Sequence, residues 1–404
     1  MSVVIIGGGH GGFQVAASLR QENYAGKVTL ISAENLRPYH RPPLSKAYLK
    51  DGISDALQMR PASFYERNDI GLRLGMRIAR VDRAARMVIP EQGDQIAYDH
   101  LVLATGACNA LPPVRGLDLP GVFSLRDLKD AQRLRAAMAG AGHVAIIGGG
   151  FIGLEFAAVA RAAGIGVTVI EAAPRLMARA LSPQMSDRFA AIHHDMGTQL
   201  YLGRMAVAVA EAGDRAAGVI LDDGTRIDAG LVLLAAGVVP NAGLARDAGL
   251  ATGNGIIVDR HLRTTDPAIF ALGDCAAFPC LRTDSPLRLE SVQAATDQAR
   301  AIARTITGRP VAYDALPWFW SDQGPHKLQI AGACLPGDEA FAVSENIVIR
   351  FRAGHMSGAE TIDAPGVHMA ARKLLASGPG PLQADLAAAG YDLRALAKDM
   401  KETA

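Results

Sequence analysis

Two glycine clusters carry the most specific chemistry in this sequence. Gly7, Gly9 and Gly12 follow the apolar run Val3-Val4-Ile5-Ile6, and Gly148, Gly150 and Gly153 follow Val144-Ala145-Ile146-Ile147. Glycine at these spacings permits a tight turn, lets backbone approach a pyrophosphate, and lets a helix pack closely on a strand. The N-terminus of that helix then holds phosphate charge. An acid is expected near the end of the following strand, to accept hydrogen bonds from ribose hydroxyls. Glu34 stands 22 positions after Gly12 and Glu171 stands 18 after Gly153, so both copies comply. A lone GxGxxG is a weak signal that an ordinary glycine turn can produce. Two copies, each framed by strand, helix and acid, read as two dinucleotide sites.

The elements that must hold these residues follow from periodicity. Each cluster is followed by an apolar-periodic segment (Phe13 to Leu19; Leu154 to Ala162) and then a β-branched run (Val28 to Ile31; Val167 to Ile170), which is the order of a βαβ unit. Leu101 to Gly106 and Leu231 to Asn241 are short apolar runs ending in or containing glycine, expected to be the closing strands of the two nucleotide domains. Asp130 to Ala139 is expected to be helical and Pro112-Pro113 to be a linker. The second unit therefore reads as inserted into the first. From about Pro317 the pattern changes to Trp318, Phe319 and Trp320, then short strands around Leu328 to Ile330 and Ile347 to Phe351, which signals a third domain.

Composition sets the bounds. At 404 residues, 50% of them apolar and 20% charged, the chain can form two or three ordinary globular cores. Its 41 Lys and Arg nearly balance 40 Asp and Glu, so no global field draws it to nucleic acid or an anionic membrane. With no apolar run of membrane-spanning length and no basic leader before Val3, the expected address is the cytoplasm. The four cysteines, Cys108, Cys275, Cys280 and Cys334, include no CxxC pair and no zinc-type spacing, so no metal site is expected.

Taken in order, GGGHGG, PYHRPPLSK (Pro38 to Lys46), LATG, GGGFIGLE, TTDPAIFALGD (Thr264 to Asp274), ESV (Glu290 to Val292) and PWFWSDQ (Pro317 to Gln323) give the whole chain a family likeness. It resembles the NADH-dependent, FAD-containing ferredoxin reductases of the oxygenase-coupled type. The resemblance implies two Rossmann-like α/β nucleotide domains and a C-terminal α+β interface domain: FAD-binding residues 1–108 and 240–316, NAD-binding residues 109–239, and residues 317–404. It implies FAD and NADH/NAD as cofactors, and as partner a [2Fe–2S] ferredoxin serving a cytochrome P450 or other oxygenase. A monomer or weak dimer is expected. The run from Gly337 to Val367 departs from the family's pattern.

The resemblance also implies roles. Gly7, Gly9, Gly11, Gly12 and Glu34 would hold the pyrophosphate and adenosine portion of FAD. Arg41, Lys46, Ile78, Arg126, Asp274, Val292 and Trp320 would meet the rest of it. Lys46 and Glu155 would pair beside flavin and nicotinamide, as the catalytic residues; a fixed ammonium there would stabilise charge developing during hydride transfer. Gly148, Gly150, Ile152, Gly153, Glu155 and Glu171 would bind NAD. Glu171 would favour NADH by repelling a 2′-phosphate, while Arg175 nearby keeps a phosphorylated ribose open. Arg60, Arg300, Arg372 and Lys373 are candidates for a basic docking rim, although a loop or helix cation is ordinarily just solvated. Trp318, Phe319 and Trp320 read either as core or as a ferredoxin-docking edge.

Rival readings use the same two nucleotide domains. A disulfide reductase needs a thiol pair in the PPLSK region, which holds Ser45 instead; Cys275 and Cys280 have CxxxxC spacing but follow Asp274 at the expected FAD ribitol position. A reductase of a rubredoxin-type carrier stays open. A signalling protein like apoptosis-inducing factor would carry a leader and a long C-terminal insertion, and only about 84 residues follow Trp320.

Overall fold

Val3, Val4 and Ile5 are almost completely buried, because the strand that contains them lies at the centre of a parallel sheet covered on both faces. The computed structural model describes residues 1–283, 285–376 and 378–402. Two units divide the chain. The first contains Met1–Arg41, Ser54–Cys108 and Val239–Ala315; the second contains Pro42–Ile53, Asn109–Val238 and the chain from Leu316 onward.

In the first unit the five sheet strands run in the order Ile269–Ala271, His100–Leu103, Ser2–Ile6, Lys27–Ile31 and Ile70–Arg73. All four pairings are parallel. The helix His10–Gln21 makes the crossover between the two central strands, as the glycine cluster predicts. Neither run expected to close its sheet does so. The run after Asp99 lies one strand inside, and Ile269–Ala271, from the TTDPAIFALGD segment, takes the edge; in the second unit Leu231–Leu234 likewise lies one strand inside, with Val122–Ser124 at the edge. An apolar run of four residues reads the same at either position, so composition alone could not assign the order.

The helix Val292–Ile306 packs along His10–Gln21. Its N-cap is Ser291, whose hydroxyl accepts from the Ala294 amide, a bond that contributes about 1 kcal/mol at such positions. Gly11 makes the close approach possible. A Cβ there would meet Leu272 Cδ1 at 3.0 Å and Ala295 Cβ at 3.7 Å.

The second unit repeats the first plan. Its parallel sheet has the order Thr198–Leu202, Gly166–Glu171, His143–Ile147, Leu231–Leu234 and Val122–Ser124, with the helix Phe151–Ala162 after the second glycine cluster. The helix expected from Asp130 spans Leu128–Met138 and begins earlier because Asp127 caps it, accepting from the Asp130 amide. The same unit contains an antiparallel sheet of Trp318–Gln323, His326–Gly332, His355–Ile362, Ile347–Arg352 and Glu339–Ser344. Pro365–Ala376 packs on this sheet and Leu393–Glu402 packs on Pro365–Ala376. The segment that departs from the family pattern thus supplies three of its five strands.

A buried ion pair ties this sheet to the helix Pro183–Asp195. Arg350 Nη1 donates to Glu360 Oε1 at 2.6 Å, and Glu360 also accepts from the backbone amide and hydroxyl of Ser182, the cap of that helix. No helix among the described residues is long and apolar enough to cross a membrane.

Candidate active site

The three glycines of each cluster do different work. A Cβ on Gly7 would stand 2.0 Å from the Ala104 carbonyl oxygen, and one on Gly12 would stand 1.9 Å from the Gly7 oxygen. In the second cluster the matching distances are 2.4 Å from Gly148 to the Ala235 oxygen and 2.4 Å from Gly153 to the Gly148 oxygen. These first and third glycines are required by the fold itself. The middle ones are not: the nearest atom to a Cβ on Gly9 is Arg41 Nε at 4.0 Å, and nothing lies within 4 Å of one on Gly150. Gly9 and Gly150 are the N-caps of their helices and have no side chain to accept from the first-turn amides. Open space at an uncapped helix N-terminus, twice, fits two pyrophosphates.

Around Gly9 the first unit gathers charge and hydrogen-bonding groups. Glu34 accepts from Tyr39 Oη at 2.7 Å and from Arg41 Nη2 at 2.5 Å, and the Arg41 guanidinium lies over the Tyr39 ring. Two histidines that the sequence reading did not single out stand beside it, with His10 Nε2 and His40 Nδ1 3.4 Å apart. Burial first, then the neighbouring His40 and Arg41, pushes His10 down to about 3. Asp274 lies in a short turn, Gly273–Cys275, after the edge strand; Val292 is the first residue of its helix, and Ile78 opens the strand Ile78–Asp82.

In the second unit Lys46 and Glu155 meet. Lys46 Nζ lies 2.9 Å from Glu155 Oε1, with the Glu155 side chain 6% exposed. Glu155 also accepts from Ser45 Oγ at 2.5 Å and Ser321 Oγ at 2.7 Å. The PPLS turn, Pro42–Ser45, and the helix Phe151–Ala162 pack together and bring the pair into register. The sequence reading noted Ser45 only as the lack of a cysteine and missed Ser321, Gln323 and His193. The signal was present in PWFWSDQ: on a strand, residues 319, 321 and 323 share a face, and that face carries Phe319 against Phe151 (ring centroids 4.6 Å), Ser321 on Glu155 and Gln323 on His193. The opposite face carries Trp318 stacked on Trp320 at 5.6 Å.

Glu171 folds back on the second glycine cluster, accepting from the Gly149 amide at 2.6 Å and the Ala173 amide at 2.8 Å. Arg175 is committed elsewhere, donating to the Leu181 and Ala178 carbonyls and the Ser186 hydroxyl. Ile152 is the second residue of the helix after Gly150, and Arg126 lies just before Leu128–Met138, its amide on Asp130. The four candidate docking cations are divided between the two units. Arg60 and Arg300 are exposed in the first unit, with Arg300 paired to Asp297. In the second unit Arg372 lies over the Trp318 ring at 4.5 Å and Lys373 donates to the Ala397 carbonyl.

Residues 1–299 match the family model described as pyridine nucleotide-disulphide oxidoreductase, and residues 318–397 match one described as reductase C-terminal. The chain belongs to the pyridine nucleotide-disulphide oxidoreductase family. It is 44% identical to rhodocoxin reductase of Rhodococcus erythropolis, over 100% of this chain and 96% of the relative. Among solved structures, the ferredoxin reductase for the CYP199A2 system from Rhodopseudomonas palustris superposes with a TM-score of 0.93 at 44% identity, covering 98% of this chain and 99% of that one. The reductase in a covalent putidaredoxin reductase–putidaredoxin complex gives a TM-score of 0.92 at 32% identity, with the same coverage. The protein is therefore an oxidoreductase of a family that uses FAD and NAD(H).

Proposed function

We propose that this protein takes electrons from NADH through FAD to a [2Fe–2S] ferredoxin that supplies a cytochrome P450 or other oxygenase. The observation that carries the reading is the Lys46–Glu155 pair. Where a disulfide reductase would need a thiol pair, Ser45 puts its hydroxyl on Glu155 and Lys46 puts its ammonium on the same carboxylate. Cys275 does not replace that pair: burial raises its thiol above the usual range, and a reactive cysteine needs the thiolate.

FAD, when bound, accepts an electron pair as hydride and releases electrons singly to a one-electron acceptor. The chain's own residues do the rest. Gly9, Gly11 and Glu34, with Arg41, Ile78, Arg126, Asp274 and Val292, would hold FAD; Gly150, Ile152 and Glu171 would hold NAD. Lys46, held by Glu155, would supply positive charge to stabilise a flavin that becomes anionic on reduction. The preference for NADH is supported by Glu171, and by an Arg175 whose guanidinium is already bonded to Leu181, Ala178 and Ser186. The domain division proposed is 1–108 with 240–316 for FAD, 109–239 for NAD and 317–404 for the interface, where Trp320 would lie at the ferredoxin edge. A monomer or weak dimer acting in the cytoplasm, away from membranes and nucleic acid, completes the reading.

Anaerobic titration with NADH, followed by a panel of acceptors, tests it. The yellow protein should bleach with NADH and return its colour on adding a [2Fe–2S] ferredoxin, more slowly with a rubredoxin, and not with an aromatic disulfide. Efficient electron transfer to the disulfide alone would overturn the reading.

A further inference from the structure

We propose that Ser321, Gln323 and His193 are positioning residues: a one-directional hydrogen-bond chain that holds the Glu155 carboxylate, and through it the Lys46 ammonium, in place for the hydride step. The proposal rests on the reading of Lys46 and Glu155 given above. Its links are Ser321 Oγ to Glu155 Oε1 at 2.7 Å, Gln323 Nε2 to Ser321 Oγ at 3.2 Å, and His193 Nε2 to Gln323 Oε1 at 2.8 Å. Ser321, Gln323 and His193 are each 0% exposed and Glu155 is 5% exposed. The chain runs from the helix Phe151–Ala162 across the strand Trp318–Gln323 to the helix Pro183–Asp195.

The direction of every link follows from the carboxylate. A carboxylate only accepts, so the single Ser321 proton is spent on Glu155. The Ser321 oxygen is then an acceptor, which turns the Gln323 amide so that its NH2 faces the serine; a second bond of that NH2, to Met177 Sδ at 3.5 Å, agrees. The Gln323 carbonyl consequently faces His193, which must present Nε2–H. His193 is therefore the neutral Nε2–H tautomer, and burial holds its protonation below the ordinary histidine range. Its Nδ1 finds no partner among the described residues. That atom is unpaired in either tautomer, so the choice is made at Nε2, where an Nδ1–H ring would set a bare lone pair against the Gln323 carbonyl. No link can reverse without leaving two lone pairs or two protons face to face.

Such a chain restricts Glu155 to one rotamer and so fixes where the ammonium of Lys46 sits. A misplacement of about 1 Å in a positioned group can cost on the order of a hundredfold in rate. Three variants separate this role from packing. Ser321→Ala removes the donor to Glu155. Ser321→Thr restores it. Gln323→Glu keeps the shape but replaces the one N–H that Ser321 accepts with an oxygen.

In stopped-flow reduction by NADH, the limiting rate constant of flavin reduction should fall about tenfold or more in Ser321→Ala and Gln323→Glu, and return to within about threefold of wild type in Ser321→Thr. The apparent NADH dissociation constant, and reoxidation of the dithionite-reduced enzyme by ferricyanide, should stay at wild-type values. Independently of turnover, histidine-selective 15N NMR of the FAD-loaded wild type should show His193 as the Nε2–H tautomer across the neutral range. An Nδ1–H or doubly protonated His193, wild-type rate constants in both disruptive variants, or a Ser321→Thr as slow as Ser321→Ala would each overturn the chain alone. A wild type that NADH does not bleach would overturn the functional reading, and this inference with it.

Discussion

Lys46→Met removes the only cation that meets the enclosed Glu155 carboxylate within salt-bridge distance among the described residues. At 2.9 Å and an effective dielectric of about 20, the gross attraction lost is about 6 kcal/mol. Desolvation of both groups cancels much of that, and breaking a buried pair from one side costs about 3–5 kcal/mol. The lower end applies, about 3 kcal/mol, because hydroxyls of Ser45 and Ser321 go on donating to the carboxylate. Glu155→Gln in the same background removes the stranded charge, so the double variant should recover about 2 kcal/mol of the loss. Kinetically, Lys46→Met leaves a bare carboxylate where charge stabilisation is needed. The limiting rate of flavin reduction by NADH should fall about a hundredfold, with FAD retained. Urea unfolding of the four FAD-loaded proteins, combined with stopped-flow reduction, measures both quantities. A coupling energy below about 0.5 kcal/mol would refute the energetic argument, and loss of FAD from Lys46→Met would make Lys46 a cofactor anchor instead of a hydride-step residue.

The remaining expectations concern other parts of the site. His368 is 1% exposed with its ring edge on Trp318, and burial, then Arg372 and Lys327, lowers it from 6.5 to about 4. Below its ordinary range the unfolded chain then holds the extra proton, so stability falls as pH drops. The loss reaches at most about 2 kcal/mol near pH 5, and His368→Phe should remove that share of the difference between melting curves at about pH 7.5 and about pH 5. Equal pH slopes in both proteins would refute this. Glu171→Ala should cost NADH about 10- to 100-fold in kcat/KM without making NADPH a good substrate, since Arg175 is bonded elsewhere; efficient NADPH use would show that Arg175 is available. Gly12→Ala, whose Cβ would lie 1.9 Å from the Gly7 oxygen, should yield colourless protein. Gly153→Ala, at 2.4 Å from the Gly148 oxygen, should stay yellow, bleaching with dithionite but not with NADH. A Gly153→Ala protein reduced by NADH at the wild-type rate would contradict the assignment of the second cluster.

Much of this was legible in the sequence, for physical reasons. The glycine clusters, their strands and their acids announce themselves because a tight turn tolerates few alternatives, and Gly7 and Gly12 indeed leave no room for a Cβ. The Lys46–Glu155 pair joins residues far apart in the chain, so only the family likeness brought it to notice; spacing could not. Ser321 and Gln323 were hidden by their ordinariness, since a serine and a glutamine on an aromatic-rich strand read as surface until the partners on the neighbouring helices are known. The order of the first sheet was likewise invisible. Buried parallel strands share one composition, and nothing in Ile269–Ala271 marks it as the edge.

The chain changes unit at residues 41/42, 53/54, 108/109, 238/239 and 315/316. During synthesis, then, the strand His100–Leu103 emerges while its neighbour Ile269–Ala271 is still untranslated, with 165 residues between them. At about 5–20 residues per second that interval is roughly 8 to 33 s. For that time an apolar strand waits with one side unpaired, a standing invitation to chaperones or to a neighbouring nascent copy. Slowing or hastening translation through the intervening stretch should therefore change the yield of native protein without altering a single amino acid.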